Sequence, residues 1–344
     1  MISRLKTIFI LIVAAAIIAP ALYAGGNQES ADPVRPAGET DKVEPVQAVA
    51  LDLQIGVLKG PSGFGIIKLM EENPSFGENV TTEYTVTPSP AEMIAKLTSG
   101  ELQAGLLPLN VAAKLYTKGA GYPLAAVPGR GNLFILSRDP EVHSLRDLEG
   151  KKLYATGKGA TPDYVFTYLA NEAGVDLEKV DVDFTYPHNQ LAQMGAAGQM
   201  DTVLVPQPFA SLIMMKNKEM EIRIDLQEEW MTFQDSDETY PMTAFVFSPE
   251  VAAARPEVLE NFLVKYEESI NWVLANVDEA AAAIERQGIL AAGPAKAAIP
   301  FCGLDYAGAP ESRVDVEAFL TVLLESNPQS VGGTLPDDGF YLAP

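Results

Sequence analysis

The side chains able to do covalent chemistry are few in this chain. Two histidines, His143 and His188, and one cysteine, Cys302, occur among 344 residues. A metal site needs three or four clustered ligands, so no metal is expected. The nucleophile-elbow pattern G-x-S-x-G does not occur, and no catalytic residue is expected. His188, just after Tyr186-Pro187 at a strand end, is the one side chain suited to an enzymatic alternative. Cys302 has no partner for an intramolecular disulfide and reads as a small buried hydrophobe. What recurs is a capping residue type directly after an apolar strand: Ser62, Ser89, Asn110 and Thr161. Such residues cap helices. The free N–H groups at a helix N-terminus also attract polar and anionic groups. Ordinary capping explains each alone; the four together, at strand ends facing one cleft, suit a small-molecule site. Cofactors are not expected. Gly60-Pro61-Ser62-Gly63-Phe64-Gly65 lacks dinucleotide spacing, and no acidic residue ends the next strand to take a ribose. There is no phosphate-loop Lys-Ser/Thr pair either.

Further candidates cluster at two points. Gly129-Arg130-Gly131-Asn132 offers Arg130, either for a ligand anion or for a solvent-facing or interlobe salt bridge. Asn132 is either a ligand contact or a turn residue. Pro206-Gln207-Pro208-Phe209 follows a strand directly, and Gln207 both donates and accepts hydrogen bonds. Phe64, Tyr186 and Tyr240 supply either a flat apolar wall for the ligand or core packing. His143 lies in a polar stretch and belongs on the surface.

These positions need a scaffold, and the pattern supplies one. Strands are expected over 53–58, 82–87 and 103–107, each followed by a helix. A second round follows, with strands over 152–156, 180–186, 202–205 and 222–226 and helices between them. Alternating strands and helices argue for mainly parallel sheets with helices on both faces. After Ser248 the pattern is helical: Leu259, Phe262, Leu263, Tyr266, Ile270, Val273 and Leu274 recur at steps of three and four. The apolar runs NLFILS (132–137) and TAFVFS (243–248) mark two passages between lobes. The expected architecture is α/β with two lobes and two hinge crossings. One lobe takes 51–134 and 246–344, the other 135–245.

The start of the chain does not fit that scaffold. Arg4 and Lys6 precede a nearly unbroken apolar run over 7–19, and Ala19-Pro20-Ala21 and Leu22-Tyr23-Ala24 offer cleavage positions. Residues 1–24 therefore read as a cleaved secretory leader. Leu22-Tyr23-Ala24-Gly25 approaches a lipoprotein site, but Gly26 stands where a lipidated cysteine would be. Residues 25–50, rich in Gly, Pro, Ala, Glu and Asp, read as a flexible tether. The formal charge is −22, and loss of Arg4 and Lys6 with the leader makes it more negative still. Such a surface repels nucleic acid and anionic lipid. A monomeric exported protein is expected.

Three segments carry a family resemblance: SLRDLEGKKLYATGKGATPDYVFTYLANEAGV from Ser144, NQLAQMGAAGQMDTVLVPQPFAS from Asn189, and SPEVAAARPEVLENFLVKYEESINWVLANVDEAAAAI from Ser248. Their order and spacing, with the opening strand at 51–58, resemble the periplasmic solute-binding proteins of ABC importers. The branch is that of sulfonate, taurine, nitrate and thiamine-precursor binders. The resemblance implies a type II two-lobed binding-protein fold, a small ligand in the cleft, and partners in a membrane permease with its cytoplasmic ATPase. It places ligand-contacting turns on Ser62-Gly63-Phe64, Leu109-Asn110, Gly159-Ala160-Thr161 and Gln207. Leu109 and Ala160 are apolar where a polar contact is usual, which argues against a strongly anionic ligand. Some eukaryotic relatives are pyrimidine-synthesising enzymes with closely spaced cysteines, and related dehydratases act in the cytosol. The single Cys302 and the leader fit neither.

Overall fold

The computed structural model describes residues 50–343. The expected leader (1–24) and the tether (25–50, Ala50 apart) lie outside the described residues. The strands are β1 (Leu51–Leu58), β2 (Val80–Thr87), β3 (Ala104–Pro108), β4 (Leu124–Arg130), β5 (Leu133–Ser137), β6 (Lys152–Ala155), β7 (Asp181–Asp183), β8 (Thr202–Pro206), β9 (Glu221–Asp225), β10 (Pro241–Phe247) and β11 (Leu304–Gly308). The α-helices are α1 (Ile67–Glu72), α2 (Pro90–Thr98), α3 (Leu109–Leu115), α4 (Thr161–Glu172), α5 (His188–Ala196), α6 (Phe209–Lys216), α7 (Leu226–Gln234), α8 (Pro249–Ala254), α9 (Pro256–Ala275), α10 (Val277–Arg286), α11 (Ala292–Ala298) and α12 (Arg313–Ser326).

Two sheets result, in the orders β11-β4-β10-β3-β1-β2 and β7-β6-β8-β5-β9. The α/β class expected from the alternation is what forms. β1 runs parallel to β2 and β3, and β6 parallel to β7 and β8. β10 runs antiparallel to both β3 and β4, and β5 antiparallel to β8 and β9. β5 explains itself by sequence: LFILS is buried on both faces. Leu133 and Ile135 join the main core, whereas Phe134 and Leu136 join a second cluster with Leu191, Val203, Val205 and Ile213. A strand covered on both sides needs a continuous apolar run. Cys302 is buried, as its small apolar character suggested, and burial pushes its thiol pKa up.

Two strands were not legible. β4, LAAVPGR, carries Pro128 and Gly129, residue types that are rare inside strands. It is nonetheless paired on both sides, second from the sheet edge, and its pairing with β10 shifts register around Gly129. Irregular pairing is how a sheet accommodates proline. β11 lay inside the segment read as helical.

The passages between sheets also differ in detail from expectation. The chain leaves the six-stranded sheet after Arg130 and joins the other at Leu133. It returns through 235–240, and the whole of β10 from Pro241 lies in the six-stranded sheet. The second passage thus precedes TAFVFS rather than occurring within it. TAFVFS is itself the strand that anchors the return, because Thr243 to Phe247 pair with Pro108 back to Ala104.

Candidate functional site

The topology brings particular strand ends together. In the six-stranded sheet β4 runs with β1 and β3, so its end at Arg130 lies on the edge where β1 and β3 also end. In the other sheet β5 begins beside the end of β8, with Leu133 opposite Pro206. Both passages therefore join the carboxyl edges of the parallel strands. Ligands of open α/β sheets bind at such edges.

The five-stranded edge carries an unusual set of atoms. Thr156 follows β6 directly and is fully buried, yet its Oγ1 has no hydrogen-bond partner among the described residues. Gln207 follows β8, is 2% exposed, and its Nε2 has no partner. Asn132 precedes β5, and its Oδ1 has none. Gln207 N donates to the Asn132 carbonyl at 3.0 Å, so these two turns touch. Ala155 lies level with Leu204 on β8, which puts Thr156 on the same edge. A buried polar atom without a partner costs about 1–3 kcal/mol. Three on one edge make it the candidate site. Asn132 and Gln207 are candidates by sequence; Thr156 is not. Its signal is a hydroxyl closing an apolar strand just before the Gly157–Gly159 turn.

The expected caps behave differently from one another. Ser89 caps α2 as expected: its Oγ accepts from Glu92 N at 3.3 Å, with Pro90 in the first turn. The other three do not cap. Pro108 and Ala160 occupy the N-cap positions of α3 and α4, so Asn110 and Thr161 are already helical. Ser62 lies inside the 3-10 turn Pro61–Gly63. Their side chains are left for other contacts. Ser62 Oγ is 3.4 Å from Thr243 Oγ1 on β10, and Asn110 Nδ2 donates to the Ser330 carbonyl at 3.4 Å. Gly159 and Ala160 are exposed. Their turn is braced by Asp163, which accepts from Gly159 N at 2.9 Å, and by Tyr164 OH, which donates to the Gly159 carbonyl at 2.7 Å.

Other candidates are corrected by burial. Phe64 is 0% exposed and Leu109 1%, and Gly63 is buried, so these three pack the core beneath their turns. Tyr240 is likewise fully buried. Its hydroxyl donates to Gln227 Oε1 at 2.6 Å, and its ring stacks on Phe319. Gln227 in turn accepts from Leu133 N at 2.9 Å and donates to the Leu133 carbonyl at 3.0 Å. Tyr240 therefore staples the two passages to each other instead of forming a ligand wall.

Arg130 is the clearest reassignment. Its guanidinium donates to Asp305 at 2.7 Å, Asp315 at 3.0 Å and the Thr239 carbonyl at 2.9 Å, with Glu238 at 3.2 Å. Burial alone would disfavour its charge. Hydrogen bonds to Asp305 and Asp315 and the nearby Glu238 outweigh that and raise its pKa. With three carboxylates around it, Arg130 is engaged in salt bridges, chiefly to Asp305 and Asp315 on its own side of the passages, with Glu238 of the return passage added. Arg130→Met is expected to lower stability by about 2 kcal/mol in urea unfolding. The loss of a buried ion-pair partner usually costs 3–5 kcal/mol, reduced here because its acidic partners are partly solvated. A change below about 0.5 kcal/mol, within the range of ordinary surface substitutions, would show that this cluster does not hold the passages.

His188 opens α5 and is half-buried, its ring 5.4 Å from that of Phe209. Burial lowers its pKa, which favours a neutral ring. Tyr186 packs against Tyr154 at 6.3 Å. His143 is exposed. Among the described residues no helix is long and apolar enough to cross a membrane.

Comparison with known proteins supplies the rest. Residues 69–298 match the family described as "ABC transporter, phosphonate, periplasmic substrate-binding protein". No curated protein matches by sequence. An ABC transporter protein from Parabacteroides distasonis superposes with a TM-score of 0.75 at 27% identity, covering 85% of this chain and 98% of that one. The periplasmic aliphatic sulphonate-binding protein SsuA of Escherichia coli gives 0.65 at 14% identity, covering 83% and 92%. The periplasmic nitrate-binding protein NrtA of Synechocystis gives 0.57 at 13% identity, covering 82% and 84%. The last two share the type II binding-protein fold. With the family match running from α1 to α11 and the same fold in these neighbours, the chain belongs to the phosphonate-type periplasmic substrate-binding proteins of ABC transporters.

Proposed function

We propose that this substrate-binding protein captures a small solute with a singly charged oxyanion head at the edge formed by Asn132, Thr156 and Gln207. The observation that carries the reading is the set of three buried, unpartnered polar atoms there. Thr156 Oγ1 and Gln207 Nε2 supply donors to the head, and the start of α4 adds free N–H groups. Asn132 Oδ1 accepts from a donor elsewhere on the solute. The phosphonate, sulphonate and nitrate named for the relatives are all oxyanions. Two cations adjoin these turns in sequence, and both have carboxylate partners. Arg130 is bound by carboxylates, and Lys158 lies 3.2 Å from Asp163. Neutral donors in a chain of net charge −22 suit one negative charge better than two.

Capture proceeds by rotation about residues 131–132 and 235–240, with the lobes divided there. Ser62, Asn110 and Thr243 approach the ligand from the six-stranded sheet, and Gly159 to Thr161, Gln207 and His188 from the other. Solute contacts to both lobes shift the population toward the closed form. The permease then reads that form, while its ATPase drives transport. The protein acts as an exported monomer and without chemistry of its own.

Native mass spectrometry of protein purified without unfolding tests this reading, followed by X-ray scattering with the released solute. A low-mass anionic adduct is expected, with a smaller radius of gyration when it is re-added. No adduct, together with unchanged scattering across an alkylphosphonate, an alkylsulfonate and nitrate, would overturn it.

A further inference from the structure

Among the described residues the six-stranded sheet ends on β11, which pairs with β4 on one side only. Ala309 N donates to the Ala125 carbonyl at 3.1 Å, and Ala307 lies opposite Val127. The ladder shifts register between Leu304 and Ala307; one step back from Ala307, which faces Val127, alternation turns Tyr306 to the open edge. All five residues of β11 are partly exposed. An open edge is a template for a further strand.

Beside this strand runs a groove of about 460 Å³. Its opposite wall is one stripe of α9: Glu260, Leu263, Val264 and Glu267. Their spacing of three and four puts them on a single helix face. Val264 is 53% exposed beside the buried Leu263, with Glu260 and Glu267 one turn away on either side. Pro310 and Glu311 close the far end. Arg313, the next cation along the chain, is bound to Glu317 and Asp338 and does not neutralise Glu311. The groove is therefore apolar along its floor and acidic along its rim.

We propose that the β11–α9 groove docks an extended basic segment of a partner protein, added as a strand to β11. Main-chain hydrogen bonds to Tyr306 would supply the pairing. Alternate side chains would then meet two surfaces, apolar ones resting on Leu263 and Val264 and basic ones reaching the glutamates. Charge complementarity selects this occupant over a second copy of the chain, because two copies at −22 each repel. The groove lies outside the ligand edge, so this inference stands whether or not the ligand reading holds.

The test uses the whole protein with an acetylated heptapeptide alternating lysine and valine, at low ionic strength. Fluorescence anisotropy is expected to show binding that weakens as salt rises. Hydrogen exchange is expected to slow at the Tyr306 amide. A glutamate–valine peptide should not bind. The triple variant E260Q/E267Q/E311Q alters only exposed side chains and should weaken binding at least tenfold; Val264→Ser should weaken it severalfold. Failure of the lysine peptide to bind, equal binding by the triple variant, or protection confined to another surface would overturn the proposal. So would self-association in sedimentation through this edge, which would assign it to a second copy.

Discussion

Thr156→Val is expected to make the empty protein more stable and a poorer binder at once. Valine keeps the shape of threonine and removes a fully buried hydroxyl that has no partner. Relieving such a group should add about 1 kcal/mol in urea unfolding, since an unsatisfied buried polar atom costs roughly 1–3 kcal/mol. A hydrogen bond to a charged solute is worth about 1.5–3 kcal/mol, so calorimetric affinity should fall by roughly ten- to 150-fold. Gln207→Leu should act in the same direction through Nε2, with a smaller gain in stability, because Gln207 Oε1 already accepts from Ser211 N at 3.3 Å. Opposite signs for stability and affinity distinguish a binding group from a structural one. If Thr156→Val lowers stability and leaves affinity unchanged, the hydroxyl belongs to the fold and the proposed edge is wrong.

Gly131→Ala is expected to disturb the molecule more broadly. A Cβ at Gly131 would lie 2.6 Å from a Tyr240 ring carbon and 2.8 Å from Gln227 Oε1. Neither neighbour can yield easily. Tyr240 is wedged among Trp230 and Phe319, and Gln227 bonds Leu133 on both its N–H and C=O. Overpacking of this kind costs about 1–3 kcal/mol. The methyl would also prise the two passages apart where rotation is proposed to occur. Stability should drop, and solute affinity should drop further than the same loss of stability produces at a site remote from the passages. A variant with unchanged unfolding midpoint and unchanged affinity would remove the passages from the mechanism. Trp230 is 3% exposed beside Tyr240, so its fluorescence reports the local change directly.

Arg130 shows why sequence and structure divide as they do. A cation between two glycines at a predicted passage is visible in the sequence, but its use is not. Asp305 and Asp315 are 175 and 185 residues away along the chain. Only folding brings them to it. Tyr240 is similar: an aromatic near a strand start reads equally as ligand wall or staple until its hydroxyl is seen on Gln227. Asn110 and Thr161 were placed one or two positions off, because helix starts are set by backbone angles that a capping residue only favours.

The sequence by itself determined the α/β class, the alternation of strands with helices, the cap at Ser89 and the buried character of Cys302. Each follows from local rules: apolar periodicity, turn chemistry and side-chain polarity act over a few residues. It also determined that Asn132 and Gln207 sit at strand ends. Tertiary structure alone decided that these two touch, that Thr156 joins them without a partner, and that Arg130 turns to carboxylates. Those outcomes depend on which strand ends share an edge. That is fixed by sheet order and by burial across the whole chain, through contacts between residues that no local pattern relates.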